Sequence, residues 1–256
     1  GMILISSLFI LTLTIMLEAI SLSKTYDQHP ALTDLNLRVA AGDVYCLLGA
    51  NGAGKTTTIN LFMNFITPTS GQAKVNGLDV AQGQEVKKHL AYIPENLNLY
   101  GTLSGLENLQ FFAGLGGEKP GKASAEELLR GVGLPPEFIH RRVSKYSKGM
   151  RQKVGLIRAM LHNPAVLLLD EPTSAMDPHS AKLVRDAIRE LRDDKRTIIL
   201  CTHNLAEAEM LADSIAIIKK GTIVAQGSTA VLKQTLLGQP QLEVRVDRNL
   251  NGEVSE

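Results

Sequence analysis

The segment Gly49-Ala50-Asn51-Gly52-Ala53-Gly54-Lys55-Thr56-Thr57 constrains this chain more than any other. It has the spacing GxxxxGK[ST], follows the apolar run Val44-Tyr45-Cys46-Leu47-Leu48 and precedes a helical pattern over residues 58–65. Strand, glycine-rich loop and helix in that order build a concave anion site, because glycines let successive backbone N–H groups turn inward at a helix N-terminus. A turn that merely starts a helix is the plainer alternative. The buried-strand pattern before the loop and the helix after it speak against that alternative. The segment reads as a nucleoside triphosphate site in which Lys55 reaches the β- and γ-phosphates and the Thr56 hydroxyl ligates Mg²⁺.

The rest of the chain narrows the setting. With 256 residues it can bury one sizeable core, with room for a small subdomain. Lys and Arg (27) balance Asp and Glu (26), so nothing in the net charge calls for nucleic acid or an anionic membrane face. There is no Trp and few aromatics are available for base stacking. Cys46 and Cys201 both lie inside apolar runs and read as reduced, buried small hydrophobes. Gly1 reads as a remnant of tag removal, and residues 1–15 as an apolar N-terminal extension. As a helix, Met2 to Leu17 would span about 24 Å, short of the ~30 Å hydrocarbon core. Three readings stay open for it: a leader upstream of a start at Met16, a segment that docks on an apolar partner, or a marginal membrane anchor.

Residues 17–26 alternate like a half-exposed strand, and residues 31–39 alternate again after a turn at 27–30, so an antiparallel β-layer is expected ahead of the loop. Residues 68–72 read as a turn, 73–77 as a short strand, 84–90 as a short helix and 91–95 as a strand ending at proline. From about 96 to 149 glycines and prolines punctuate helical patterns without a convincing strand, which suggests a helical subdomain inserted into an α/β core. The uninterrupted apolar runs 165–169 and 197–202 are those of parallel strands covered on both faces. A hairpin is expected at 214–225, a closing helix at 229–237, and a polar tail at 238–256 with a further strand at 242–246. The expected fold is α/β: a P-loop core with a mostly parallel sheet, an antiparallel β-layer and an inserted helical subdomain.

Chemistry gathers at strand ends. Asp170 and Glu171 close the run Val166-Leu167-Leu168-Leu169, and adjacent acids at the tip of a buried strand need a cation or a task to offset their repulsion. Asp170 suits magnesium and Glu171 a water. His203 closes the run Ile198 to Thr202 and reaches the same end of the sheet, where it could contact a γ-phosphate. The other histidines show neither metal-ligand spacing nor a nucleophile partner. The basic residues Arg141, Arg142, Lys145, Lys148, Arg151 and Lys153 read as a solvated helix face rather than a nucleic-acid site, having no interleaved aromatics.

These motifs, in this order from about residue 17 to 237, resemble the ATP-binding subunit of an ABC transporter. The resemblance implies an ABC ATPase domain over 16–237 with its helical subdomain at about 96–149. It makes Tyr26 the adenine-stacking aromatic, Asp170 the Walker B aspartate and Glu171 the general base. Ser174-Ala175-Met176-Asp177 resembles the D-loop, and His203 falls at the switch histidine. Nucleotide contacts are expected from Gly49, Asn51, Gly52, Ala53, Gly54, Lys55, Thr56 and Thr57, and from Ser147 and Gly149 of Tyr146-Ser147-Lys148-Gly149-Met150-Arg151-Gln152, where the common signature is LSGGQ. Lys148 and Met150 depart from that form, and YSKGM is familiar among cassettes of ABC-2-type exporters. Where the family has the Q-loop glutamine this chain has Glu95, a charged oxygen near Asp170 that is expected to tighten Mg²⁺ binding, directly or through water.

The resemblance further implies ATP and Mg²⁺ as ligands, head-to-tail pairing with a second ATP-binding subunit and a transmembrane permease as partner. It places the chain peripherally at the cytoplasmic face of the membrane, with no nucleic acid. The alternative is a soluble ABC protein acting on a macromolecular assembly. A third reading, a P-loop kinase, lacks its small-substrate lid in place of the signature stretch.

Overall fold

The computed structural model describes residues 14–117, 121–193 and 196–232. The chain opens with β1 (Ile15–Tyr26), β2 (His29–Ala40) and β3 (Val44–Leu48), followed by α1 (Lys55–Phe62), β4 (Ser70–Val75) and β5 (Leu78–Asp79). After α2 (Gln84–Lys87) and β6 (Leu90–Ile93) come four helices: α3 (Gly105–Leu115), α4 (Lys122–Gly131), α5 (Pro136–Ile139) and α6 (Lys148–Met160). The chain continues through β7 (Val166–Asp170), α7 (Pro178–Asp193), β8 (Thr197–Thr202), α8 (Leu205–Leu211), β9 (Ser214–Lys219) and β10 (Thr222–Ser228).

Two sheets result. A six-stranded sheet runs β10-β9-β3-β8-β7-β6, parallel except for the β9–β10 hairpin. An antiparallel sheet runs β2-β1-β4-β5. The continuous apolar runs of β3, β7 and β8 have a direct cause. Alternate residues serve two separate cores, Leu47, Leu168 and Ile199 on one face and Cys46, Leu167 and Leu200 on the other. The first core is shared with the antiparallel sheet and α1, the second with α7 and α8. Each such buried side chain is worth roughly 1.5–3 kcal/mol relative to exposure, so these strands carry much of the stability.

The helical segment between β6 and β7 has a third core, built on Leu109 of α3, Leu129 of α4 and Ile139 of α5. Helix α6 joins it to the rest: Val154 and Ile157 face this core while Leu156 faces the sheet. Ser104 starts α3 through a capping box with Glu107.

Five expected boundaries move. The first helix starts at Lys55 rather than 58, because Gly54 at φ 114° delivers the chain straight into the helix. It stops at Phe62 rather than 65, where Asn64 adopts a left-handed φ of 52°. The expected turn at 68–72 already contains the start of β4. Gly71 (φ +79°) takes part where β1 and β4 slip register, and a Cβ there would lie 2.2 Å from the Ser21 oxygen. Leu90 belongs to β6, paired with Val166, and not to the preceding helix. The first strand begins at Ile15, one residue ahead of the expected domain start. Residues 1–13, the tail 238–256 with its expected strand, and residues 233–237 of the closing helix lie outside the described residues; 229–232 are helical.

Cys46 and Cys201 are unpaired and fully buried, on opposite faces of adjacent strands. Burial pushes both thiols above their ordinary range, which lowers the thiolate fraction that reacts. The folded chain at pH 8 is therefore expected to release no chromophore from a thiol-exchange reagent over minutes, and both cysteines to react once denaturant is added. Titration of either thiol in the folded chain would contradict this packing.

Candidate active site

Three strand ends build the site. Parallel pairing sets Leu48 beside Thr202 and Asp170 beside Cys201, so the segments that follow β3, β7 and β8 leave the sheet at one edge. The Gly49 N–H donates to the Thr202 carbonyl (3.1 Å), tying the glycine-rich loop to the strand that precedes His203. Gly49 and Gly54 are required by close approach as well as by turning: an added Cβ would meet the Ile218 oxygen at 2.5 Å and the Ala31 oxygen at 2.9 Å respectively.

Lys55 is 5% exposed, and its Nζ donates to the carbonyls of Gly49 (2.6 Å) and Ala50 (3.3 Å). It also lies 3.1 Å from Glu171 Oε1. That approach is a charge contact without hydrogen-bond alignment, since the same oxygen has no hydrogen-bond partner. The other carboxylate oxygen, Oε2, is 2.8 Å from His203 Nδ1, and His203 remains half exposed. Thr56 Oγ1 donates to Asp170 Oδ2 at 2.9 Å. Glu171 sits at a left-handed φ of 48° and its N–H donates to the Cys201 carbonyl (2.8 Å). A non-glycine residue held there costs about 1–3 kcal/mol, and such strain concentrates at functional sites. Ala175, four residues on, is left-handed too, at φ 53°.

Lys55, Thr56, Asp170 and Glu171 line a cavity of about 260 Å³ together with Asn51, Gly52, Thr57 and Glu95, and His203 stands outside its walls, joined to it through Glu171. Glu95 accepts from Ser174 Oγ at 3.1 Å. It also borders a groove that Lys148 and Arg151 line. Among the described residues no group of three or more His, Cys, Asp or Glu side chains is arranged to hold a metal ion. The oxygen set present is Thr56 with Asp170, and Glu95 in the same cavity wall.

Other expected residues lie apart from this cavity. Tyr26 is 43% exposed at the end of β1, with Lys24 Nζ 5.0 Å from its ring centroid. Ser147 caps α6 by accepting from the Met150 N–H (3.2 Å) and is exposed. Gly149 is buried where α6 meets α7, and a Cβ there would come within 2.9 Å of Ser180 Cβ. Gly49 and Ala53 support the loop from behind. Of the basic cluster, Lys153 is not on a solvated face: it is 4% exposed, donates to the Gly133 carbonyl at 2.8 Å, and burial lowers its pKa.

Sequence reasoning overlooked Thr173, Thr202 and Glu207, which form a hydrogen-bonded set behind Glu171 and His203. Glu207 looks like an ordinary helix-surface acid in sequence, and only its burial separates it from one.

The comparisons agree with this geometry. The family model described as ABC transporter matches residues 32–174, more than half of the chain. The chain belongs to the ABC transporter family. Among its relatives is the daunorubicin/doxorubicin resistance ATP-binding protein DrrA of Streptomyces peucetius, 37% identical over 90% of this chain and 70% of DrrA. A fluoroquinolones export ATP-binding protein of Mycobacterium tuberculosis is 37% identical over 88% of this chain and 73% of its own length. A solved ATP-binding subunit of an ABC transporter superposes with a TM-score of 0.74 at 32% identity, covering 86% of this chain and 93% of that one. A dimeric post-hydrolysis cassette, MJ0796 bound to ADP and Pi, shares the fold with a TM-score of 0.73 at 24% identity, covering 83% and 98%. This chain is an ATP-binding cassette and an ATPase of that family. No described helix of the cassette is long and apolar enough to cross a membrane.

Burial raises the Asp170 carboxyl above its usual range, and repulsion from Glu171 and Glu95 adds to this, while Thr56 and Lys55 oppose it. A carboxyl raised by folding is held charged at a cost at neutral pH, and the cost vanishes below the unfolded value of about 3.9. Asp170→Asn should therefore raise the melting temperature of the nucleotide-free cassette at pH 7, with the gain fading by about pH 4. A lower melting temperature at pH 7 would show the opposite sign.

Proposed function

We infer that the cassette is the ATP-hydrolysing motor of a membrane exporter and that Lys55, Thr56, Asp170, Glu171 and His203 carry its chemistry. The supporting observation is one continuous chain of contacts, from the loop carbonyls through Lys55 and Glu171 to His203, with Thr56 and Asp170 alongside. The loop N–H groups and Lys55 bind the β- and γ-phosphates. Glu171 accepts the proton of the attacking water as its oxygen bonds to the γ-phosphorus, the bond to the bridging oxygen breaks, and ADP and phosphate leave. His203 orients the Glu171 carboxylate and reaches toward the transferred group. Hard oxygen donors at Thr56 and Asp170 fit Mg²⁺, which takes one or two protein ligands and fills its shell from phosphate and water. When bound it would neutralise charge developing on the phosphate oxygens.

Tyr26 stacks on adenine in this reading, and Ser147 and Gly149 serve the nucleotide of a second cassette paired head to tail. That pairing is supported by their separation from the cavity and by the dimeric MJ0796 cassette. Gly149 has a structural part too, since its closeness to Ser180 already demands glycine. Export is supported by the drug-resistance and fluoroquinolone-export roles of those two relatives, and a permease partner at the cytoplasmic face of the membrane belongs to the same reading. Glu95, in the same cavity wall, would hold the ion directly or through water.

Two sets of variants test this. Glu171→Gln should keep ATP affinity but lose roughly 10²- to 10⁴-fold of turnover, the usual weight of a general base. Lys55→Ala should weaken nucleotide binding itself in the same titration; near-normal turnover in Glu171→Gln would refute the assignment. Separately, titrating Mg²⁺ against ATPase activity should show a higher half-saturating concentration in Glu95→Gln, and an unchanged value removes Glu95 from the metal's surroundings.

A further inference from the structure

Glu207 is 1% exposed and carries a carboxylate with no cation beside it in any hydrogen bond or ion pair described for it. A buried carboxylate persists only where hydrogen bonds replace its lost water. Here both replacements come from the two segments that carry the hydrolytic groups. Thr173 Oγ1 donates to Glu207 Oε1 at 2.6 Å, and Thr202 Oγ1 donates to Glu207 Oε2 at 2.7 Å. Thr173 lies two residues after Glu171, and Thr202 immediately precedes His203. The Thr202 carbonyl in turn accepts from the Gly49 N–H, where the glycine-rich loop begins.

A local role does not account for this placement. Glu207 sits in the first turn of α8, but Asn204 already caps that helix, its Oδ1 accepting from the N–H groups of Ala206 (3.0 Å) and Glu207 (3.3 Å). The Glu207 side chain is thus left to bridge loops. The distances of 2.6 and 2.7 Å are those of charge-assisted hydroxyl bonds, which fix geometry more tightly than neutral ones.

We propose that Glu207 is a positioning residue for ATP hydrolysis, its carboxylate holding the segment of Glu171 in register with the segment of His203. It is buried and does not line the cavity that Asp170 and Glu171 wall. It acts by fixing the separation of the two groups that meet at 2.8 Å. The proposal rests on the roles given above to Glu171 and His203.

The test uses the full chain, with melting temperature, ATP affinity, KM and kcat measured on each variant. In Glu207→Gln one carboxylate oxygen becomes an NH₂, so one bridge can survive only reversed, with the amide donating to a threonine oxygen, and both bridges lose the charge that tightens them. The expected result is a kcat lowered about tenfold or more with KM within about twofold, the pattern of an interaction that matters in the transition state. Thr173→Val should reproduce it while leaving the Glu207 carboxylate in place, and combining the two should cost no more than the worse single change. Thr173→Ser, which keeps the hydroxyl, should recover most of what Thr173→Val loses. If Glu207→Gln does not fold, the Thr173 pair decides the matter alone. A lower melting temperature with wild-type kcat makes Glu207 a structural brace and overturns the proposal. Wild type and Glu171→Gln are run alongside: hydrolysis insensitive to Glu171→Gln removes the base itself, a failure distinct from that of Glu207.

Discussion

The parallel register of β3, β8 and β7 is the constraint on which the rest depends. It is set by five or six fully buried residues in each strand, alternating between two cores. A slip of one residue would exchange every side chain between faces. Both faces are filled, so no such slip leaves the volumes matched. Because register is fixed this strongly, Gly49, Asp170 and the residues after Thr202 emerge together at one edge. No long-range electrostatic attraction is needed to assemble them.

What that edge holds is electrostatically unfavourable by itself. Asp170 and Glu171 are 5% and 6% exposed and repel each other, and Glu95 lies in the same cavity wall. Lys55 offsets part of this, its ammonium solvated by two loop carbonyls and paired with Glu171. The left-handed backbone at Glu171 adds strain that the surrounding strands must overcome. A site of this kind is poised for a ligand that brings both phosphate oxygens and a cation, since each relieves a part of the imbalance.

The helical subdomain solves a different problem. Its core is separate, and α6 is its rigid link to the sheet, with Val154 and Ile157 on one side and Leu156 on the other. Two glycines of α6 pay for close contact: Gly149 against Ser180, and Gly155 against Leu97 Cδ2, 2.4 Å from where a Cβ would be. The N-terminus of α6, with Ser147 exposed, is therefore carried on an element anchored to both cores.

Much of this was legible in sequence. Spacing alone identified the glycine-rich loop, because a phosphate cradle needs particular residue types at fixed offsets. The uninterrupted apolar run alone identified β8, Thr197–Thr202, to the residue. The family resemblance, carried by ordered motifs, implied the pairing of Glu171 with His203 at one site. Boundaries that depend on left-handed backbone, at Gly54, Asn64 and Gly71, were not readable, because whether a residue takes positive φ depends on what its neighbours demand. Nor was the burial of Lys153 or Glu207, since a charged side chain in a helical pattern looks solvated until the packing around it is known. Local chemistry determined what this chain can bind. Tertiary packing decided which acids are held by hydroxyls and how closely the loops are tied, because those bonds join residues 34, 79 and 114 positions apart.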